Sequence, residues 1–188
     1  MTWEDLAGWA WVVGLLGLGV AGLVYALVRR RPEGTEAMRA LARQIQVGAA
    51  AFLKREYAVL VVFVLLVAGA LAALLGPWTA AAFAFGAVCS MTAGLVGMHA
   101  ATRANVRTAE AARVEGAPAA LQTAFYGGAV MGLAVAALGL FGVGLVYFLG
   151  AYRPALLERE LAGFAEILSG FAMGASSIAL FARVGGGI

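Results

Sequence analysis

The chain has 188 residues, 63% of them hydrophobic and 12% charged, with a formal net charge of +3. That apolar share is far above the roughly 45–50% of a soluble domain, which excludes an ordinary water-soluble enzyme and points to an integral membrane protein. A lone cysteine, Cys89, excludes a disulfide framework and leaves the redox compartment open.

The chain starts with the acidic Met1-Thr2-Trp3-Glu4-Asp5, and the apolar run behind it, near residues 6–28, is too long for the hydrophobic part of a signal peptide. We read it as a retained first membrane helix. It stops at Arg29-Arg30-Arg31-Pro32, where cations meet the headgroups and the proline discourages continuation. After the polar link Glu33-Gly34-Thr35, the apolar residues Met38, Leu41, Ile45, Ala49 and Phe52 recur three or four apart, with Arg39, Arg43 and Gln46 off that face. This is the helical period, and it predicts an amphipathic helix over 36–57 that lies outside the bilayer on the cytoplasmic side. No breaker separates it from the next apolar run, near 58–76. Residues 36–75 are therefore expected to form one helix of ~60 Å, twice the hydrocarbon thickness. Its projecting half needs protein to cover its apolar stripe, and little else in the chain is expected to do so.

Gly76-Pro77-Trp78 predicts a tight turn with Trp78 at the interface. A third span, near 78–101, is expected to end in Arg103-Ala104-Asn105-Val106-Arg107-Thr108, with a loop through Gly116-Ala117-Pro118. A fourth span follows near 119–150, then a short surface helix in 152–160, and a fifth span near 162–182. Each span is close to or above the ~20 residues needed to cross the hydrocarbon.

Orientation follows from the basic residues, which are retained on the cytoplasmic side. With the N-terminus outside, Arg29, Arg30, Arg31, Arg39, Arg43, Lys54, Arg55, Arg103, Arg107, Arg113 and Arg183 fall inside and only Arg153 and Arg159 outside, 11 against 2. The excess positive charge is thus a topology signal, and no nucleic-acid partner is expected.

Small residues suggest where helices meet. Gly128 and Gly132, and Gly170 and Gly174, have the GxxxG spacing, and Gly86, Ser90, Ala93, Gly94 and Gly97 make a small face on span three. We take these as signs of tight packing in general rather than of a dimer seam.

The carboxylates are poorly placed for hydrolysis. Asp5 is the single aspartate, and Glu4, Glu33, Glu36, Glu56, Glu110, Glu115, Glu158, Glu160 and Glu166 are scattered without a clustered pair. Hydrolysing a polyanion needs several carboxylates to hold magnesium and aimed cations to neutralise developing charge. Glu56 is either a proton-relay carboxylate or, the more ordinary reading, part of an interfacial ion pair. Glu166 reads as solvated, and Cys89 as core filling. His99 is the sole histidine, so no histidine metal cluster is expected. Ser176 and Ser177 offer hydroxyls to an ion path, although back-bonding or packing is the plainer role. Gly185-Gly186-Gly187 lacks the lysine of a phosphate loop and reads as a helix terminus. Arg183, from position alone, is a stop-transfer arginine at the inner end of span five.

Four stretches carry a family resemblance: Ile45 to Tyr57, with Phe52-Leu53-Lys54-Arg55-Glu56-Tyr57; Gly97 to Thr108; Leu121 to Gly132, with Ala124-Phe125-Tyr126-Gly127-Gly128; and Gly170 to Ile188, with Ser176-Ser177 and Arg183-Val184-Gly185-Gly186. In this order they resemble the second to fifth transmembrane helices of the membrane-bound, ion-pumping inorganic pyrophosphatases. His99 departs from the lysine or aromatic more usual there, and the first span matches in character alone.

The resemblance implies an all-α, polytopic, homodimeric pump of roughly sixteen helices per subunit in the inner cell membrane. Such a pump hydrolyses magnesium pyrophosphate at the cytoplasmic face and exports H+ or Na+. It also implies that Mg2+ is held by a Lys- and Asp-rich segment that follows the fifth helix in the family, with K+ a further candidate cofactor. The chain is then expected to be the front quarter of such a pump, inactive alone, with no catalytic or metal-binding residue of its own. Arg183 is the one functional residue that carries over. In the family the matching arginine lies between the pyrophosphate funnel and the membrane gate, joined to acidic and lysine groups on later helices, which makes Arg183 an ion-gate candidate. The rival reading is a self-contained five-span scaffold or small transporter subunit without hydrolytic activity. No residue here reports H+ against Na+ specificity or potassium dependence.

Overall fold

The computed structural model describes residues 8–152 and 161–185, with the side chains of 151, 152, 161–163 and 183–185 excepted. The described residues form five long helices: α1 (Ala10–Arg30), α2 (Glu36–Leu74), α3 (Pro77–Val114), α4 (Ala117–Tyr152) and α5 (Leu161–Gly185). All five are long and apolar enough to cross a membrane. The predicted surface helix in 152–160 lies outside the described residues.

The helix boundaries follow from local chemistry. α1 stops because Arg31, held extended at φ −70° and ψ 144°, precedes Pro32, which disfavours the helical conformation in the residue before it. α2 opens on Thr35, whose hydroxyl accepts from the Met38 N–H at 3.4 Å, a cap reinforced by Glu36 in the first turn. With no proline inside, it runs unbroken for 39 residues, as its sequence predicts. Gly76, at φ 110°, makes the sharp reversal into Pro77 at the first turn of α3.

α3 departs from expectation. The helix does not stop where the span was expected to end, at Arg103–Thr108, but runs on to Val114, 38 residues in all from Pro77, leaving only Glu115 and Gly116 as the turn into α4. Residues 102–114 hold good helix formers and no proline or glycine, and Ala104, Arg107, Glu110 and Ala111 are buried. Their burial against neighbouring protein sustains the helix where headgroup-level charges suggested an exit.

α3 is the hub: it packs against α2, α4 and α5, while α1 lies along α4. Close backbone approach explains several glycines. A Cβ on Gly174 would collide with the Phe83 carbonyl and one on Gly86 with the Phe171 carbonyl, while one on Gly170 would sit 2.8 Å from the Thr79 carbonyl. The Gly170–Gly174 pair is therefore the α5 side of an intramolecular seam with α3. Gly128 and Gly132 have no neighbour within 4 Å of a built Cβ; α4 meets α3 instead through Gly127, against Ala104, and through Met131, against Gly97. The core along these seams joins Ala82, Cys89, Ala93, Leu138 and Phe171, so Cys89 is core filling as its sequence position suggests. A second cluster sets Leu60 of α2 on Ala87 and Ile178.

The projecting half of α2 also differs in detail. Ala42 and Leu53 are buried, with Met38, Gln46 and Ala49 half-buried beside them, whereas Leu41, Ile45 and Phe52 stay exposed. At 100° per residue these are adjoining halves of one stripe, with Ile45 only about 20° from Met38. The first faces α3, where Gln46, Ala49 and Leu53 share a crevice with Met98, His99, Thr102 and Arg103, a cover the sequence did not show. The second carries 60% exposure at Leu41 and 43% at Ile45.

Candidate functional site

The arginine-rich end of the bundle holds the densest polar chemistry among the described residues, and its centre is Arg107. Its side chain is only 6% exposed, and every nitrogen of the guanidinium is used. Nε donates to the Arg31 carbonyl at 3.1 Å, Nη1 to the Arg103 carbonyl at 2.7 Å and Nη2 to Glu33 Oε1 at 2.7 Å. A buried cation is tolerable only when so paired. Arg107 thereby fastens the α1–α2 link to the extension of α3.

Two more pairs complete the lattice. Arg31 Nη1 donates to both oxygens of Glu115 at 3.0 Å and its Nη2 to Gln122 Oε1 at 3.2 Å, joining the end of α1 to the α3–α4 turn and the first turns of α4. Arg113 donates through Nε and Nη2 to the two oxygens of Glu110, each at 2.8 Å. These hydrogen bonds hold the Glu110 carboxyl below its ordinary value and push the Arg113 guanidinium up. Gly34, at φ +79°, packs so closely that a Cβ there would lie 2.7 Å from Glu110 Oε2. Only glycine fits both the conformation and the contact.

Further along the bundle, α2, α3, α4 and α5 leave an open groove of about 530 Å³ whose lining includes Tyr57, Ser90, Gly94, Gly139 and Ser176. The Tyr57 hydroxyl donates to the Met91 carbonyl at its edge. Glu56, the adjacent residue, has one carboxylate oxygen buried with no hydrogen-bond partner. The ordinary interfacial ion pair expected for it is not formed among the described residues: Glu56 is half-buried, whereas Lys54 and Arg55 beside it are exposed. His99 donates from Nδ1 to the Leu95 carbonyl at 2.9 Å, since a carbonyl can only accept.

Arg183 stands near the end of α5, on its last helical residues, and its side chain lies outside the described residues. Ser176 lines the groove, Ser177 is half-buried, and Glu166 is half-buried in the early turns of α5. Among the described residues no three His, Cys, Asp or Glu side chains come together to hold a metal ion. The arginine lattice escaped the sequence reading, which counted Arg31, Arg107 and Arg113 only as topology charges. The acid–base spacing of Glu110 and Arg113 was its one local signal.

The comparisons extend this picture. The sequence profile described as inorganic H+ pyrophosphatase matches residues 15–188. The K+-stimulated pyrophosphate-energized sodium pump of Thermotoga maritima is 41% identical over 188 residues, covering 94% of this chain and 26% of its own length. The K+-insensitive pyrophosphate-energized proton pump of Methanosarcina mazei is 40% identical over 187 residues, covering 98% of this chain and 26% of its own length. A second K+-insensitive proton pump of this kind, from Moorella thermoacetica, is 42% identical over 178 residues, covering 93% of this chain and 25% of its own length. The chain spans about a quarter of the length of the curated relatives it matches. Five apolar helices, their packing and a match over nearly the whole chain make one case: this is a multi-pass membrane protein that belongs to the inorganic H+ pyrophosphatase family of pyrophosphate-energized ion pumps.

Proposed function

We propose that these five helices serve a pump that couples hydrolysis of magnesium pyrophosphate to export of H+ or Na+. Identity of about two residues in five with such pumps, sustained over nearly the whole chain, is the observation that carries this reading. In it, residues 1–188 are the N-terminal membrane segment, the arginine-rich end faces the cytoplasm, and the functional protein is a homodimer. Mg2+ and pyrophosphate are held by residues outside these helices. K+ is a cofactor candidate because one relative is named as K+-stimulated and another as K+-insensitive.

Within that pump Arg183 is the gate residue. It lies where an apolar helix meets the polar face, and a cation at such a depth requires a carboxylate to offset its desolvation. The partner comes from a helix beyond this segment. The test is to reconstitute the full-length protein in vesicles and record phosphate release and ion uptake together. Wild type is expected to show pyrophosphate-dependent uptake, and Arg183→Gln a fall of at least tenfold in ions moved per pyrophosphate cleaved, since losing a charge-assisted contact costs about 1.5–3 kcal/mol. An unchanged ratio in that variant would sink the gate role. The segment expressed alone is expected to release no phosphate.

A further inference from the structure

We propose that the crevice between α1, α3 and α4 is a binding site for one anionic phospholipid. This groove, about 420 Å³, has Arg103, His99 and Tyr25 among its lining and Leu18, Val96 and Ala134 on its apolar walls. Polar and apolar chemistry are separated along it in the order a phospholipid requires. Arg103 is 26 residues beyond Pro77, where α3 begins, or ~39 Å along the helix axis, which reaches the headgroup layer beyond ~30 Å of hydrocarbon. Tyr25 lies one turn before Arg29 and Arg30 at the same end of α1, the level where tyrosine prefers to sit.

Charge supplies the second argument. Arg31, Arg107 and Arg113 each engage a carboxylate. Among the described residues no carboxylate pairs with Arg103, whose guanidinium makes a single long hydrogen bond, 3.4 Å to the His99 carbonyl. A half-buried guanidinium left over beside an apolar trough is complementary to a phosphate that carries acyl chains. A zwitterionic headgroup offers the same phosphate with its charge cancelled, so an anionic lipid is favoured. Gly22, also on the lining, leaves the trough open, because a Cβ there would meet nothing within 4 Å.

The experiment is native mass spectrometry of the full-length protein, stripped of lipid and titrated with phosphatidylglycerol, phosphatidylethanolamine or glycerophosphate. Wild type is expected to retain phosphatidylglycerol in preference to phosphatidylethanolamine. Arg103→Gln is expected to weaken that retention about tenfold, the worth of one charge-assisted contact. Gly22→Leu, whose Cβ meets nothing within 4 Å and whose side chain takes up trough space, is expected to weaken it with every charge intact, while Arg39→Gln, an exposed cation elsewhere, leaves it unchanged. Circular dichroism on each variant separates loss of binding from loss of fold. Equal retention of both lipids, or an Arg103→Gln variant that binds as wild type, overturns the proposal. Glycerophosphate binding that matches phosphatidylglycerol and ignores Gly22→Leu overturns it in favour of a free phosphate site. Failure of every lipid to bind overturns it in favour of a crevice filled by protein.

Discussion

Arg107 shows why a single buried cation matters more than several exposed ones. Its three bonds run to two carbonyls and one carboxylate, and truncation removes all three, although the Arg103 carbonyl, inside α3, keeps its helical N–H. Glu33 is 44% exposed and regains water, which limits the loss. Arg107→Ala is expected to cost about 1–3 kcal/mol, read as a lower melting temperature in detergent and faster hydrogen exchange at the end of α1. Glu110 supplies the pH counterpart. Its folded carboxyl titrates below the ordinary value of 4.5 because Arg113 hydrogen-bonds the charged form. The stabilisation is therefore complete above the unfolded carboxyl's value and disappears as pH falls through the lower folded value. Wild type should lose melting temperature on acidification through that window, and Glu110→Gln should show a flatter profile there. A slope that is the same in both proteins would remove Glu110 from the account.

Among the helices, the α3–α5 seam is the one most sensitive to volume. Gly174 faces the Phe83 carbonyl and Gly86 the Phe171 carbonyl, so one methyl group on either must drive two backbones apart. Gly174→Ala is expected to destabilise the bundle by about 2 kcal/mol or more, measured by thermal aggregation in detergent, whereas Gly132→Ala, in open space, should leave it unchanged. How far each was legible depends on range. The span of α2 could be read because its cause is local: a threonine cap, a continuous apolar period and no proline. The extension of α3 could not, since Arg103, Asn105 and Arg107 look like a headgroup-level exit until Glu33, 74 residues away, neutralises one of them. The same blindness hid the arginine lattice. The GxxxG spacing appears twice in the sequence, but only the copy on α5 faces a neighbour's backbone, because facing is a property of the assembled bundle. For Arg183 position alone reads as a stop-transfer arginine and only the resemblance implies a gate, and Glu56 had no local cue that one of its oxygens would be buried without a partner.

For the molecule as a whole, the reading with the N-terminus outside puts Gly76 at the outer surface and Gly116 at the inner one. Both occupy turns with positive φ, so reporters belong beside them rather than on them. Cys89 is buried and the only cysteine of these 188 residues, so labelling calls for a background with Cys89→Ala and any cysteine outside this segment replaced. In intact cells a membrane-impermeant thiol reagent is expected to modify Leu75→Cys and spare Glu115→Cys, and the reverse pattern would invert the topology. The exposed Leu41 and Ile45 then lie in the cytoplasm, where lipid cannot cover them.

The unbroken course of α2 has a mechanical consequence. A helix of 39 residues is ~58 Å long at 1.5 Å per residue, with no proline at which to bend. It behaves as a lever whose fulcrum is the membrane surface: a tilt of about 10° about its middle sweeps each tip by ~5 Å. Because α2 packs along α3, a change in bilayer thickness that reseats the lower arm would have to carry the facing part of α3 with it to reach the other tip.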